Sequence, residues 1–96
     1  MRRSKPVAVG NLLSVFLKEF GLEKSYSNYK TLKLWDEILG NVVSRATLSK
    51  RLEGKKLYVN LSSSVVRSEL FMMRSEIINE INRRAGKNVV EELILR

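Results

Sequence analysis

The chain has no cysteine, no histidine and a single proline. Without cysteine there is neither a disulfide nor a thiolate metal site. Without histidine the commonest general base and the commonest transition-metal ligand are both missing. The carboxylates do not make up the deficit. Asp36 and Glu37 are neighbours on a helical stretch and point in different directions, and Glu91 and Glu92 alternate faces of a strand, so neither pair converges on a reacting atom. The glycines form no phosphate loop, since neither G-x-x-x-x-G-K-[ST] nor G-x-G-x-x-G occurs. Together these absences argue against an enzyme, a metal, a cofactor or a small-molecule substrate.

A long hydrophobic run is also lacking. "MRRSKPVAVGNLLSVFLKEF" starts basic and turns apolar, as a secretory leader does. However, Gly10, Asn11 and Ser14 interrupt it, Lys18 and Glu19 close it, and no A-x-A cleavage pattern follows. The stretch is too short to cross a bilayer. No membrane partner is expected, and the expected location is cytoplasmic and nucleoid-associated.

What remains is a basic chain of 96 residues, enough for one small domain. Its hydrophobic fraction of 44% and charged fraction of 29% suit a folded domain rather than a disordered tail. The net charge of +8 points to an anionic partner such as nucleic acid. That excess is localised. Residues 45–56 hold Arg45, Lys50, Arg51, Lys55 and Lys56 against Glu53 alone, and the N-terminal segment holds Arg2, Arg3 and Lys5 with no acid. A chain that is basic only for solubility more often intersperses the two signs. These eight basic residues are the candidate nucleic-acid contacts, although Lys50 to Lys56 also suit a sheet edge that must resist aggregation.

Pro6 bounds a basic flexible arm, residues 1–7, ahead of a single domain, residues 8–96. Leu12, Leu13, Phe16, Leu17 and Phe20 recur at helical spacing. Gly21 caps that first helix, residues 8–20, with Leu22 folding back onto it. A second helix spans 27–39 with Leu32, Trp35 and Leu39 as its apolar stripe and Gly40 ending or bending it. Trp35 belongs to the core by this spacing. "NVVSRA" adds a short helical turn. The longest helix, residues 63–85, carries Val66, Leu70, Met73, Ile77 and Ile81 on one stripe, a serine N-cap and Gly86 as its C-cap. "NVVEELILR" closes the chain as a strand. Val65 and Met72 lie off the main stripe of the long helix. The first helix is expected to cover them; left open, they form an apolar strip for a partner protein.

"ATLSKRLEGKKLYVNLS" reads as a hairpin, because Leu57, Val59 and Leu61 alternate with Tyr58 and Asn60. A two-residue loop at Glu53-Gly54 pairs Leu48 with Val59 and Ala46 with Leu61. A one-residue slip would flip every side chain, so an even loop is favoured. One face then carries Ala46, Leu48, Leu57, Val59 and Leu61, with Lys50 at its outer end. The other carries Thr47, Ser49, Arg51, Lys56, Tyr58 and Asn60. Tyr58, beside Arg51 and Lys56, is a candidate platform for an unpaired base, though strand tyrosines also serve packing alone. The element order is α-α-β-β-α-β, an α+β domain with a three-stranded sheet covered by helices on one face. The second and third strands are joined by a crossover, expected to be right-handed.

Residues 29–96 resemble the DciA-like family. The likeness rests on a Trp-x4-Gly segment (Trp35, Gly40), a basic hairpin with Gly54 at its turn, a Leu-x-Val strand (Leu57, Val59), small polar residues (Ser62, Ser63), Glu69-Leu70 in a helix and an apolar closing strand. The resemblance implies a fold like the K-homology domain of the second type. It also implies a bacterial replication accessory that binds the DnaB-type replicative helicase and assists its loading, with some affinity for single-stranded DNA. The other reading is a K-homology-like RNA-binding or ribosome-associated factor. Two departures matter. A G-x-x-G clamp is missing, since Gly40 is followed three residues later by Val43, so the hairpin and arm are expected to take the nucleic-acid role. Many members also carry a long flexible extension that these 96 residues do not include; if such an extension supplies helicase or DNA contacts, the folded domain is expected to supply them here.

Overall fold

The computed structural model describes residues 5–96, with side chains from residue 12 onward. Arg2 and Arg3 therefore lie outside the described residues, and of Lys5 only the backbone is described. Helix α1 spans Lys5–Glu19, opening three residues before the expected start. Gly21 adopts φ 66°, the Gly21 amide donates to the Lys18 carbonyl, and the Leu22 amide donates to the Leu17 carbonyl at 2.8 Å. This is the paired hydrogen-bond pattern of a Schellman cap, as the Gly21-Leu22 sequence implied.

Helix α2 spans Glu23–Ala46 and absorbs both the expected second helix and the "NVVSRA" turn. It bends at Gly40, whose φ of 80° and ψ of −176° lie in a region open essentially to glycine alone. The bend is held from both sides. The Trp35 indole N–H donates to Thr47 Oγ1 at 3.1 Å, and that hydroxyl donates to the Val43 carbonyl at 2.7 Å. Asp36 accepts from Ser44 Oγ at 2.9 Å and from Lys50 Nζ at 2.6 Å. Residues before the bend are thus tied to residues after it and to the first strand.

Strand β1 is Thr47–Glu53 and β2 is Lys56–Leu61, an antiparallel pair joined by Gly54-Lys55. The loop has two residues as expected but sits one position later, with Gly54 at φ 61°. Glu53 pairs with Lys56, Arg51 with Tyr58, and Lys50 with Val59. Leu52 therefore faces Leu57, an apolar pair; the expected register would have set Leu52 against Lys55 at the tip. The shift is two in register, so the two faces keep their membership from Ser49 onward, while Thr47, expected on the open face, sits opposite core-facing Leu61 and accepts from the buried Trp35. An irregularity between Thr47 and Ser49 turns Leu48 outward, and it is 69% exposed. The expectation that Leu48 joins the core is corrected by this β-bulge, which frees one residue from the alternation. Ala46 likewise belongs to the last turn of α2, not to the strand.

The expected single long helix is two: α3, Ser64–Met72, and α4, Arg74–Ala85. Met73 breaks them at φ −104°, ψ 13°. Arg74 stabilises the end of α3, since its Nε donates to the Phe71 carbonyl and its guanidinium lies 3.8 Å from the Phe71 ring centroid. Ser63 caps α3 by accepting from the Val66 amide, and Gly86 at φ 78° ends α4. Strand β3, Glu92–Leu95, runs parallel to β2, giving the sheet order β1-β2-β3.

The core lies between this sheet and the helices. Trp35, Leu57, Val59, Leu61, Leu70, Ile77, Ile81, Val90 and Leu93 are all buried. Full burial of an aliphatic side chain of this size contributes about 1.5–3 kcal/mol. The loop from α4 to β3 is fastened by Asn82, whose side chain accepts from the Val89 and Val90 amides and donates to the Val90 carbonyl. The α+β class and the one-sided cover of the sheet match the sequence reading.

Candidate nucleic-acid interface

Alternation along the strands leaves one sheet face open. It carries Ser49, Arg51 and Glu53 from β1, Lys56, Tyr58 and Asn60 from β2, and Glu92 and Ile94 from β3, followed by Arg96. At its centre the Tyr58 ring lies between two guanidinium groups, Arg51 at 4.4 Å and Arg96 at 5.2 Å from the centroid. Each is within the range of cation–π attraction. Asn60 donates to Ser49 Oγ at 2.7 Å across the β1–β2 pair. The surface combines an aromatic ring with planar cations, which suits stacking with an unpaired base.

The candidate cations do not act alike. Lys50 faces the helices from the core side of β1, and its charge is met by Asp36 at 2.6 Å. Its hydrogen bond, with that of Ser44, holds the Asp36 carboxyl below the usual aspartate range despite partial desolvation. Lys50 is thus part of the bend rather than of the open face. Arg51 is on the open face but its Nε sits 2.8 Å from Glu53. Lys55, in the turn, lies 3.7 Å from Glu91. Lys56 is exposed, with Glu92 opposite it in the register. Arg45 lies in the last turn of α2, also exposed. Among the described residues, Arg51, Lys56 and Tyr58 are the sequence candidates that share the open sheet face. Arg96 was missed as a sequence candidate, although extending the alternation of Glu92 and Ile94 by two places reaches it.

Val65 and Met72 are 70% and 73% exposed. The expected cover by α1 is therefore corrected. Helix α1 meets α2 instead and leaves its own Leu12, Leu13, Val15, Phe16 and Phe20 exposed. Phe71, 54% exposed, lies about 100° around α3 from Met72 and lines a shallow cavity with it. The two helices between β2 and β3 meet at Met72-Met73-Arg74 with no glycine, so no G-x-x-G loop joins them.

Among the described residues, no group of histidine, cysteine, aspartate or glutamate is placed to hold a metal ion, and no helix is long and apolar enough to cross a membrane. Fold and surface together define a class: a small basic α+β domain with a mixed three-stranded sheet, one face packed and the other open. The family follows from comparison. The model of the family described as "Dna[CI] antecedent, DciA" matches residues 8–95, and the chain belongs to that family. A UPF0232 protein of Corynebacterium glutamicum (strain R) is 24% identical over 86 residues, 90% of this chain and 48% of that protein. The chain thus spans about half the length of the curated relative it matches.

Proposed function

We propose that this domain is a non-enzymatic accessory of DNA replication that docks on the DnaB-type replicative helicase and assists its loading on DNA. The observation that carries the reading is the family match, which runs from residue 8 to residue 95 and so takes in nearly the whole fold. Single-stranded DNA meets the open sheet face, with bases against Arg51, Tyr58 and Arg96 and phosphates near Lys56 and the Lys55 turn. Arg45 and the arm residues Arg2, Arg3 and Lys5 add to this contact, while Lys50 keeps its place with Asp36. The helicase meets the apolar strip of Val65 and Met72 on α3, with Phe71 beside Met72. An exposed strip of this kind is the usual mark of a protein partner.

The test is a pull-down against the cognate replicative helicase, repeated with Val65→Asp and Met72→Asp together. The wild-type chain should retain the helicase and the double variant should lose it while keeping its circular dichroism spectrum. Absence of helicase retention, alongside tight binding of structured RNA, would instead establish the K-homology-like RNA-binding reading.

A further inference from the structure

The helical side of the hairpin carries a second cationic surface. A cavity of about 360 Å³ opens between the start of α2 and the end of α4, lined among others by Tyr26, Lys30, Arg84 and Lys87. A second, of about 200 Å³, continues from it to the hairpin turn at Gly54 and Lys55. The two share Ser27, Thr31, Lys87 and Val89, so they form one groove. Among the described residues, no carboxylate lines either part.

The charges here are less compensated than on the sheet face. Among the described residues, neither Lys30 nor Lys87 has a carboxylate within ion-pair distance. Arg84 has its Nε held by Glu80 at 2.7 Å, and that carboxylate also takes Arg83, so the cluster of three keeps one positive charge. Lys55 is balanced by Glu91. The groove therefore keeps a net charge of about three. On the sheet face, among the described residues, Arg51 pairs with Glu53 and Lys56 stands opposite Glu92 in the register without an ion pair, so with Arg96 the face sums to a net charge of about one. Position is also fixed. Asn82 fastens the Val89 and Val90 amides directly behind Lys87 and Asn88. Tyr26, exposed at the mouth with Lys30 Nζ 5.6 Å from its ring, supplies an aromatic face.

From this groove we infer a second binding path for an unpaired polynucleotide strand, with phosphates on Lys30, Arg84 and Lys87 and the strand reaching the sheet face over the Lys55 turn. A positive groove that tracks the backbone, with an aromatic ring beside it, is the arrangement single strands use. The inference rests on the nucleic-acid part of the proposed function and is independent of the helicase. The backbone chemistry is common to DNA and RNA, so both strands are probed.

Fluorescence anisotropy with labelled oligothymidylate and oligouridylate of about 16 nucleotides tests it on three paired variants. These are Lys30→Glu with Lys87→Glu in the groove, Arg51→Glu with Lys56→Glu on the sheet face, and Lys18→Glu with Lys33→Glu elsewhere. The groove pair should lose about tenfold or more in affinity at low salt. Its log–log salt slope should become shallower by about 1.4, the equivalent of two phosphate contacts on a single strand. The pair away from the groove changes net charge equally and should lose much less. Unchanged binding by the groove pair, or an equal loss by the Lys18/Lys33 pair, overturns the groove while leaving the sheet face standing. No binding of either strand by the wild-type chain overturns both nucleic-acid sites, and the helicase pull-down then decides the rest.

Discussion

The bend at Gly40 and the helix α1 are built from similar sequence, an apolar stripe ended by a glycine, yet they are held very differently. At the bend, Trp35 is fully buried, its indole N–H is satisfied, and Asp36 binds one group beyond the bend and one on β1. Along α1 the glycine cap forms just as cleanly, but the stripe it ends finds little to pack against. Helical spacing tells which residues share a face. It does not tell what covers that face, because cover depends on where the following chain turns. Stability should therefore be concentrated at the bend and nearly absent from α1.

The largest effect is expected from Trp35→Ala. It removes the biggest fully buried side chain and leaves the Thr47 hydroxyl without its donor, at a cost of about 3–5 kcal/mol. Against the roughly 5–15 kcal/mol of a typical domain this is a large fraction. Trp35 is the only tryptophan, so the urea midpoint is read by circular dichroism. A loss under about 1 kcal/mol would show that the bend is not where the fold is held.

Gly40→Ala comes next. A Cβ at this position meets no atom within 4 Å, so the cost is backbone strain alone, about 1–3 kcal/mol. A variant as stable as the wild type would show that the bend straightens freely and that the ties around it do not define it.

Much of this was legible in the sequence. Gly21, Gly40 and Gly86 mark ends or bends because glycine takes a positive φ there without strain, and the period of two in residues 57–61 fixed the faces of β2. The missed parts share one cause, namely that they depend on partners distant in the chain. Met73 carries no breaking residue, so the division of α3 from α4 left no local sign. Lys50 read as one of a run of turn cations, but its partner Asp36 is 14 residues away. Asparagine is a weak helix former, and the use of Asn82, to hold the amides of Val89 and Val90, carries no mark in its own stretch of sequence. The groove beside Lys87 joins α2, α4 and the hairpin turn, three segments that no window of sequence contains together.

Asp36→Asn gives a smaller effect and a pH signature. The depressed pKa of Asp36 means that its contribution is fully present above the ordinary value of 3.8 and is lost as pH falls below it. The variant should lose about 1 kcal/mol or less at neutral pH, given the exposure of the pair. The difference from wild type should shrink on acidification below about pH 4. Glu80, held down to about 2 first by Arg83 and then by Arg84, has the same sign. Glu80 is intact in the Asp36→Asn variant, so subtracting the two stability profiles isolates Asp36. A difference that persists unchanged to the acid limit would show that the Lys50 pair is not the source of the stabilisation.

The smallest effect belongs to α1. Phe16 and Phe20 have ring centroids 4.7 Å apart and are 49% and 62% exposed. Replacing both with serine removes little buried area, so stability should change by no more than about 0.5 kcal/mol in a urea titration. Set beside Trp35→Ala, this difference between aromatic residues of one small chain is the sharpest form of the comparison. A loss above about 1.5 kcal/mol would mean that the stripe is covered in solution. Cover by a second copy makes the midpoint depend on protein concentration, because association stabilises by mass action, whereas cover by the chain's own body does not. Measuring the wild-type midpoint across a wide concentration range therefore identifies what covers α1 if the serine variant shows that something does.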